Sequence, residues 1–252
     1  FLDMTNPRKM MMAAAGAGGY QPIGADFDGT NDYLSRGAQF SNTVDSKIFS
    51  ISFWFKTATP GGQLKILQSA TVASVRPSFD FEHQPDDDFD IKITDTSGTI
   101  RMQGIVATPG DTDWHHFCFS VDMANSSNRA SFIDDSAATT NWLTYQDYIL
   151  DNTMSNFWIG STEYGTQKYN GAFADFWMQL GGTRADFETT ATRRKFITAE
   201  GSPVDLGSDG QTPGFGAPTL FLTGAIDTWH TNAGDGGGMT ETGALTEVTG
   251  PT

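Results

Sequence analysis

The groups in this 252-residue chain that could do chemistry are scattered carboxylates, four histidines, one thiol and two clusters of aromatic rings. Asp28 and Asp32 bracket Gly29, Thr30 and Asn31, so carboxylate, hydroxyl, amide and backbone oxygens fall within one short turn. That is the donor set a hard cation such as calcium takes, and equally the set that braces a turn unaided. Asp80 and Glu82 stand two apart, which puts both on one face of a strand. Paired carboxylates at a suitable separation are what glycoside hydrolysis requires. His115 and His116 are neighbours, hence on opposite strand faces, while His83 and His230 are remote; no zinc-ligand spacing results, and packing roles are expected. Cys118 is the only cysteine, so no internal disulfide forms, and Phe117 and Phe119 beside it mark a small buried hydrophobe. There is no Gly-x-Ser-x-Gly elbow, and the run Gly234 to Gly238 has neither the lysine nor the helix of a phosphate-binding loop.

Sugar recognition asks for aromatic faces beside amides and carboxylates. Trp142, Tyr145 and Tyr148, interleaved with Asn141, Gln146 and Asp147, have that mixture, as do Tyr164 and Tyr169 with Glu163 and Gln167. The alternative for all five rings is to cover a sheet or meet a neighbouring subunit.

Strands must position these groups. Ile51, Phe53 and Phe55 alternate with Ser52, Trp54 and Lys56 in the clearest strand of the chain, and Trp54 implies that the second face is covered too. Alternation recurs at 78–82, 89–94 and 100–106, whereas Trp114 to Asp122 has little polarity on either face, as at a sheet centre. Asp26 to Leu34 reads as a strand, a tight acidic turn and a second strand, that is, a hairpin. Phe187 to Phe196 predicts a short helix with Asp186 as N-cap. From Gly201 onward Gly, Thr and Pro dominate, with apolar islands at Leu220 to Leu222 and Trp229, which predicts an extended tail packed on the body or on a neighbouring subunit. The expected division is an anchoring arm over 1–19, a β-sandwich body over 20–182, and a short helix with the tail over 183–252.

Composition agrees with a β-rich body: 28 Gly and 19 Phe accompany only 18% charged residues. Thirty acidic against fifteen basic residues give a formal charge of −15, which argues against nucleic acid and anionic membranes as partners. No apolar run approaches the ~20 residues of a membrane span. Pro7-Arg8-Lys9 followed by Met10 to Ala15 imitates a signal peptide poorly, since glycines interrupt a short apolar run, and Met4 is a candidate natural start.

Taken in order, these pieces resemble the laminin G-like, concanavalin A-like jelly-roll family. Phe27 to Tyr33 is similar to its opening Phe-Asp-Gly-x-Asn-Asp-Tyr, and Ile51 to Phe55 to its aromatic strand. Trp114-His115-His116-Phe117 resembles its Trp-x-His strand, Ile159-Gly160 its Ile-Gly element, and Tyr169 to Asp175 its closing strand. The resemblance implies an all-β jelly-roll sandwich carrying an N-terminal arm and a Gly-rich C-terminal extension. It implies calcium held by Asp28 or Asp32 with Asp175. Hydrolases of that fold place Glu-x-Asp-x-x-Glu on one strand; the run is absent here, so no catalytic residue is named and a non-enzymatic role is expected. A narrower resemblance joins Met4 to Met10, Arg194 to Ile197, Gly201 to Gly207 and Asn232 to Gly237 to tailed-bacteriophage virion proteins. It implies a structural component of a phage particle, a tail fibre, spike or head decoration, on the virion surface after assembly in the host cytoplasm. Its partners would be other virion proteins, met through arm and tail, in a homo-oligomer with a trimer favoured. Host or environmental glycan would be met through Trp142, Tyr145, Tyr148, Tyr164 and Tyr169. The alternative is a secreted bacterial lectin or degenerate glycoside hydrolase.

Overall fold

The computed structural model describes residues 19–72 and 75–252. The arm expected over 1–19 thus lies, Gly19 apart, outside the described residues. In chain order the strands are β1 (Ile23–Asp28), β2 (Tyr33–Arg36), β3 (Ile48–Thr57), β4 (Leu64–Val72), β5 (Val75–His83), β6 (Asp88–Thr94), β7 (Ile100–Ala107) and β8 (His115–Asp122). There follow β9 (Arg129–Ile133), β10 (Ser136–Ala137), β11 (Thr140–Tyr145), β12 (Asn156–Ile159) and β13 (Asn170–Leu180). After the short helix α1 (Thr190–Arg193) come β14 (Leu220–Leu222), a 3-10 turn (Ile226–Thr231), β15 (Thr240–Thr242) and β16 (Thr246–Thr249).

These strands form two antiparallel sheets of eight, packed face to face. The first runs β10-β9-β8-β3-β13-β1-β16, with β14 also on β13; the second runs β11-β7-β6-β5-β4-β12-β2-β15. Alternation fills the space between them. Phe53 of β3 meets Phe117 at 5.4 Å, Phe173 at 5.7 Å and Phe176 at 4.9 Å within its own sheet, and Phe81 of the opposite sheet at 5.9 Å. The other face of the first sheet is covered as Trp54 implies, but by the C-terminal segment. Phe187, Phe196, Leu206 and Phe221 close over Trp177 and Cys118, and Ile197 over Trp54. The Trp177 indole donates to the Gly210 carbonyl at 3.0 Å, satisfying its polar edge in this second core.

Two expectations change. The helix is a single turn, Thr190–Arg193, with Thr189 at the N-cap; Asp186 instead accepts the Thr189 hydroxyl at 2.9 Å. Ala185, Phe187 and Phe196 are drawn into the second core, which leaves too few residues free to wind a longer helix.

The opening Asp28 turn is not a hairpin. β1 pairs with β13 and β16, whereas β2 pairs with β12 and β15 in the other sheet, so the turn carries the chain between layers. Asp28 Oδ1 accepts the N–H groups of Thr30 (2.7 Å), Asn31 (3.0 Å) and Asp32 (3.3 Å). Asp32, 3% exposed, answers with Oδ2 to the Asp28 N–H (3.2 Å) and Oδ1 to the Ala244 N–H (2.9 Å). Ala244 lies between β15 and β16, where the chain crosses back. The two crossings therefore run side by side, joined by Asp32. Gly243 is at φ 86°, and a Cβ there would drive into the Asp32 carboxylate.

Removing this brace has a definite cost. Asp32→Ala leaves two N–H groups unpaired and is expected to lose about 2 kcal/mol, and Gly243→Ala at least about 1 kcal/mol, in denaturant titrations. Unchanged midpoints in both variants would show that the crossings do not depend on the carboxylate.

Candidate functional site

The three carboxylates expected to share a cation do not meet. Asp28 faces Asn170 in the β1–β13 register, five residues from Asp175, which is ~17 Å along a strand. Asp28 spends Oδ1 on backbone N–H groups, and those of Asn31 and Thr30 hold its carboxyl below the usual range. Asp175 sits at φ 44° in the bulge where β13 shifts register against β3. It is 3% exposed and accepts the Tyr20 hydroxyl at 3.1 Å and the Thr223 hydroxyl at 2.6 Å through Oδ1. Among the described residues no three or more His, Cys, Asp or Glu side chains come together as metal ligands. The donor set does not fit calcium as one site.

The five rings do not form one surface either. Tyr169 is 0% exposed, stacked on Phe173 at 4.2 Å, so it is core and out of reach of a sugar. Trp142 and Tyr145 belong to β11, where a bulge at Leu143 turns both inward; Trp142 packs over Gly104 and against Phe119 at 5.8 Å, and the Tyr145 hydroxyl donates to the Asp122 carbonyl at 2.9 Å. Arg129 lies over both rings. They close the edge of the sandwich. Tyr148 is half-buried beneath Arg101, and Tyr164 is 64% exposed in the loop after β12. β11 and β12 are five strands apart, so ~24 Å of sheet separates the two ring clusters.

With the first sheet covered on both sides, the outward face of the second sheet is the one that no segment among the described residues lies across. A single cross-strand row traverses all eight of its strands: Thr144, Gln103, Lys92, Asp80, Gln68, Trp158, Ser35 and Thr240. Phe157 and Ile159 point into the core, so alternation turns Trp158 outward between Gln68 and Ser35. Trp158 is half-buried, and among the described residues no aromatic ring or cation packs on its indole. Tyr33, on the same face, carries the Lys168 ammonium 3.9 Å from its ring centroid. The Gln68 amide oxygen accepts the Glu163 N–H at 2.8 Å, which anchors the Tyr164 loop above the row.

Across Gln68 from Trp158, beginning two strands away at Asp80, lies an ion cluster. Lys65 Nζ, on a side chain 2% exposed, bridges Asp80 Oδ1 and Glu82 Oε2, the latter at 2.6 Å. Lys92 Nζ pairs with Asp90 at 2.9 Å, and the Gln103 amide donates to both Asp90 oxygens at 3.0 and 3.1 Å. Burial raises the Asp80 carboxyl above its usual range in spite of Lys65. Burial pushes Glu82 the same way, but Lys65 and Lys92 outweigh it and hold that carboxyl low. Asp80 and Glu82 share one face as the alternation predicts. Trp158, Gln68, Lys65, Lys92 and Gln103 were not picked out by sequence as site residues; the polar halves of the alternating runs at 78–82 and 89–94 were the available signal.

A family model described as the concanavalin A-like lectin/glucanases superfamily matches residues 28–179. Among solved structures, the chain is similar to a candidate carbohydrate binding protein from Bacteroides ovatus, with a TM-score of 0.58 and 12% identity over 91% of this chain and 60% of that one. It thus spans 60% of that protein's length. It is also similar to a heptameric SAP-like pentraxin from Limulus polyphemus (TM-score 0.48, 11% identity, 64% of this chain and 77% of that one). Domains LG4-5 of the mouse laminin alpha1 chain give a TM-score of 0.46 at 13% identity, over 65% of this chain and 43% of that one. At these identities the likeness is one of fold. A comparison with curated proteins gives no match.

Asp175 offers a titration that reports its placement. Burial raises its pKa to about 7, with the Thr223 and Tyr20 hydroxyls opposing. The fold favours the neutral acid, so its contribution is complete below the ordinary carboxylate pKa and is lost as pH rises through about 7. Asp175→Asn is expected to flatten the fall in melting temperature between pH 4 and 8, where the parent chain loses on the order of a few kcal/mol relative to the variant. Parallel melting curves for the two chains across that range would contradict a titrating Asp175.

Proposed function

The chain belongs to the concanavalin A-like lectin/glucanases superfamily, and from that premise we propose that it is a non-enzymatic carbohydrate-binding jelly roll whose ligand lies on the outward face of the second sheet. The observation that carries this reading is Trp158, a half-buried indole with no ring stacked on it among the described residues, set in a row of amide, carboxylate and hydroxyl groups. A sugar ring presents apolar C–H faces to an aromatic plane and hydroxyls to the groups around it. Gln68 and Asp80 on one side and Ser35 on the other supply those partners. The Bacteroides ovatus protein of like fold is described as a candidate carbohydrate binding protein, which is in keeping with the same reading.

The non-enzymatic part rests on Lys65. Asp80 and Glu82 have their pKa values pushed in opposite directions, which is the pattern an acid and base pair needs. A hydrolase must also fit the scissile bond between its two carboxylates. Here one ammonium, on a side chain 2% exposed, is bonded to both.

Display on a phage particle is a separate matter and rests on short segments. Met4 to Met10 lie outside the described residues. The C-terminal segments serve the body: Leu206 is in the second core, and Asn232 caps the Phe221 N–H at 2.7 Å. Mass spectrometry of purified particles tests it, with the chain expected at a copy number tied to head or tail symmetry. Recovery only from culture medium, with a cleaved N-terminus, would favour a secreted lectin.

For the sugar site, Trp158→Ala is expected to weaken binding by about tenfold, as loss of ~1.4 kcal/mol of stacking requires, while Trp142→Ala mainly lowers the melting temperature. Glycan-array hits followed by calorimetry on both variants decide it. Binding that survives Trp158→Ala at full strength would move the site elsewhere.

A further inference from the structure

We infer that the Trp158 face selects uncharged and amine-bearing sugars and turns away acidic ones; the inference rests on the glycan-binding reading above and names the ligand class of that same site. The argument is one of which charges remain to be offered. The cluster across Gln68 from Trp158 holds three carboxylates, Asp80, Glu82 and Asp90, against two ammoniums, Lys65 and Lys92. Both ammoniums are already paired, Lys92 with 26% of its side chain still accessible. Lys65 is 2% exposed and shared between Asp80 and Glu82, and Lys92 lies 2.9 Å from Asp90 and 4.0 Å from Glu82. The neutral donors of the cluster are turned inward as well: the Gln103 amide donates to Asp90, and the Gln63 amide to Glu82 Oε1 at 3.5 Å, an oxygen also taken by the Gln84 amide. Asp80, with 27% of its side chain accessible, is the acid of the cluster most open to solvent. On β2, the strand next to Trp158, the Lys168 ammonium stands over the Tyr33 ring, near enough to Asp28 to help hold that carboxyl low.

An arriving ligand therefore meets hydrogen-bond acceptors with a surplus of negative charge, on a chain of formal charge −15. Sugar hydroxyls donate to such oxygens. An ammonium substituent gains a charge-assisted bond as well. A carboxylate or sulfate finds no uncommitted cation in the cluster and faces Asp80.

The test uses the full chain and matched probes: lactose against sialyllactose, and an N-acetylated chitin hexamer against its deacetylated chitosan counterpart, alongside a broad array. Among ligands whose binding is lost in Trp158→Ala, acidic members are expected to bind about tenfold or more weaker than their uncharged counterparts, and amine-bearing members at least as tightly. Added salt should weaken the amine-bearing and relieve the acidic penalty. Asp80→Asn should remove the amine advantage; the salt series on the unaltered chain gives the same answer if that variant fails to fold. Trp158-dependent binding of acidic glycans as tight as that of their uncharged counterparts would overturn this inference and leave the glycan reading standing. An array with no bound sugar of any class would overturn both.

Discussion

The Asp32 carboxylate is the contact on which the rest of the architecture depends. One oxygen closes the turn that takes the chain from the first sheet to the second, and the other holds the N–H of Ala244, where the chain returns. Because β1 pairs with β16 and β2 with β15, the first and last strands must cross between layers at the same place and in register. A slip of one residue at either crossing would turn a whole strand inside out. Fixing both crossings to one buried side chain removes that freedom. It also explains why a glycine at positive φ stands at Gly243, since any side chain there would occupy the carboxylate's place.

Once the ends are fixed, the two sheets meet different fates. The segment after β13 lays Phe187, Phe196 and Ile197 across the first sheet, and Ala185 N–H reaches the buried Ser50 hydroxyl at 3.0 Å, so that sheet is buried on both faces. Its strands are accordingly buried almost throughout, β3 and β13 above all. Among the described residues no comparable segment lies across the polar side of the second sheet, which keeps its alternation, with Phe79, Phe81, Phe89, Ile91 and Ile93 inward and Asp80, Glu82, Asp90 and Lys92 on the other face. The proposed ligand face follows from this asymmetry. It is the face that the C-terminal residues leave alone.

The contrast also sets what sequence reveals. Period-two alternation made most strands and the all-β class legible, and Trp54 correctly signalled a covered outer face. The Asp28 turn misled because Asx bonding and glycine serve a hairpin and a layer crossing alike; only the distant partners of β1 and β2 tell them apart. Trp142 and Tyr145 looked exposed among polar neighbours, yet the bulge at Leu143 places residues three apart on one inward side, which no simple period encodes. Trp158 was hidden by the opposite accident. Phe157-Trp158-Ile159 shows no alternation at all, and its outward member is identified only by Gln68 and Ser35 across the ladder.

The ion cluster across Gln68 from Trp158 is costly to maintain, since removing Lys65 and its partners from water is offset only by close pairing and by the surrounding amides. A hydrophobic patch would cover the sheet more cheaply, so stability alone does not account for it. What the cluster does supply is acceptor oxygens whose positions are set before a ligand arrives. Side chains held by Lys65, Lys92 and Gln103 have little rotamer freedom left to lose, which lowers the entropic cost of binding. On the proposed reading the same bonds keep Asp80 and Glu82 from serving as a hydrolytic pair. On the proposed reading one lysine accounts for both outcomes: it turns a carboxylate pair of the kind a glycosidase uses into a rigid rim for a sugar held against Trp158.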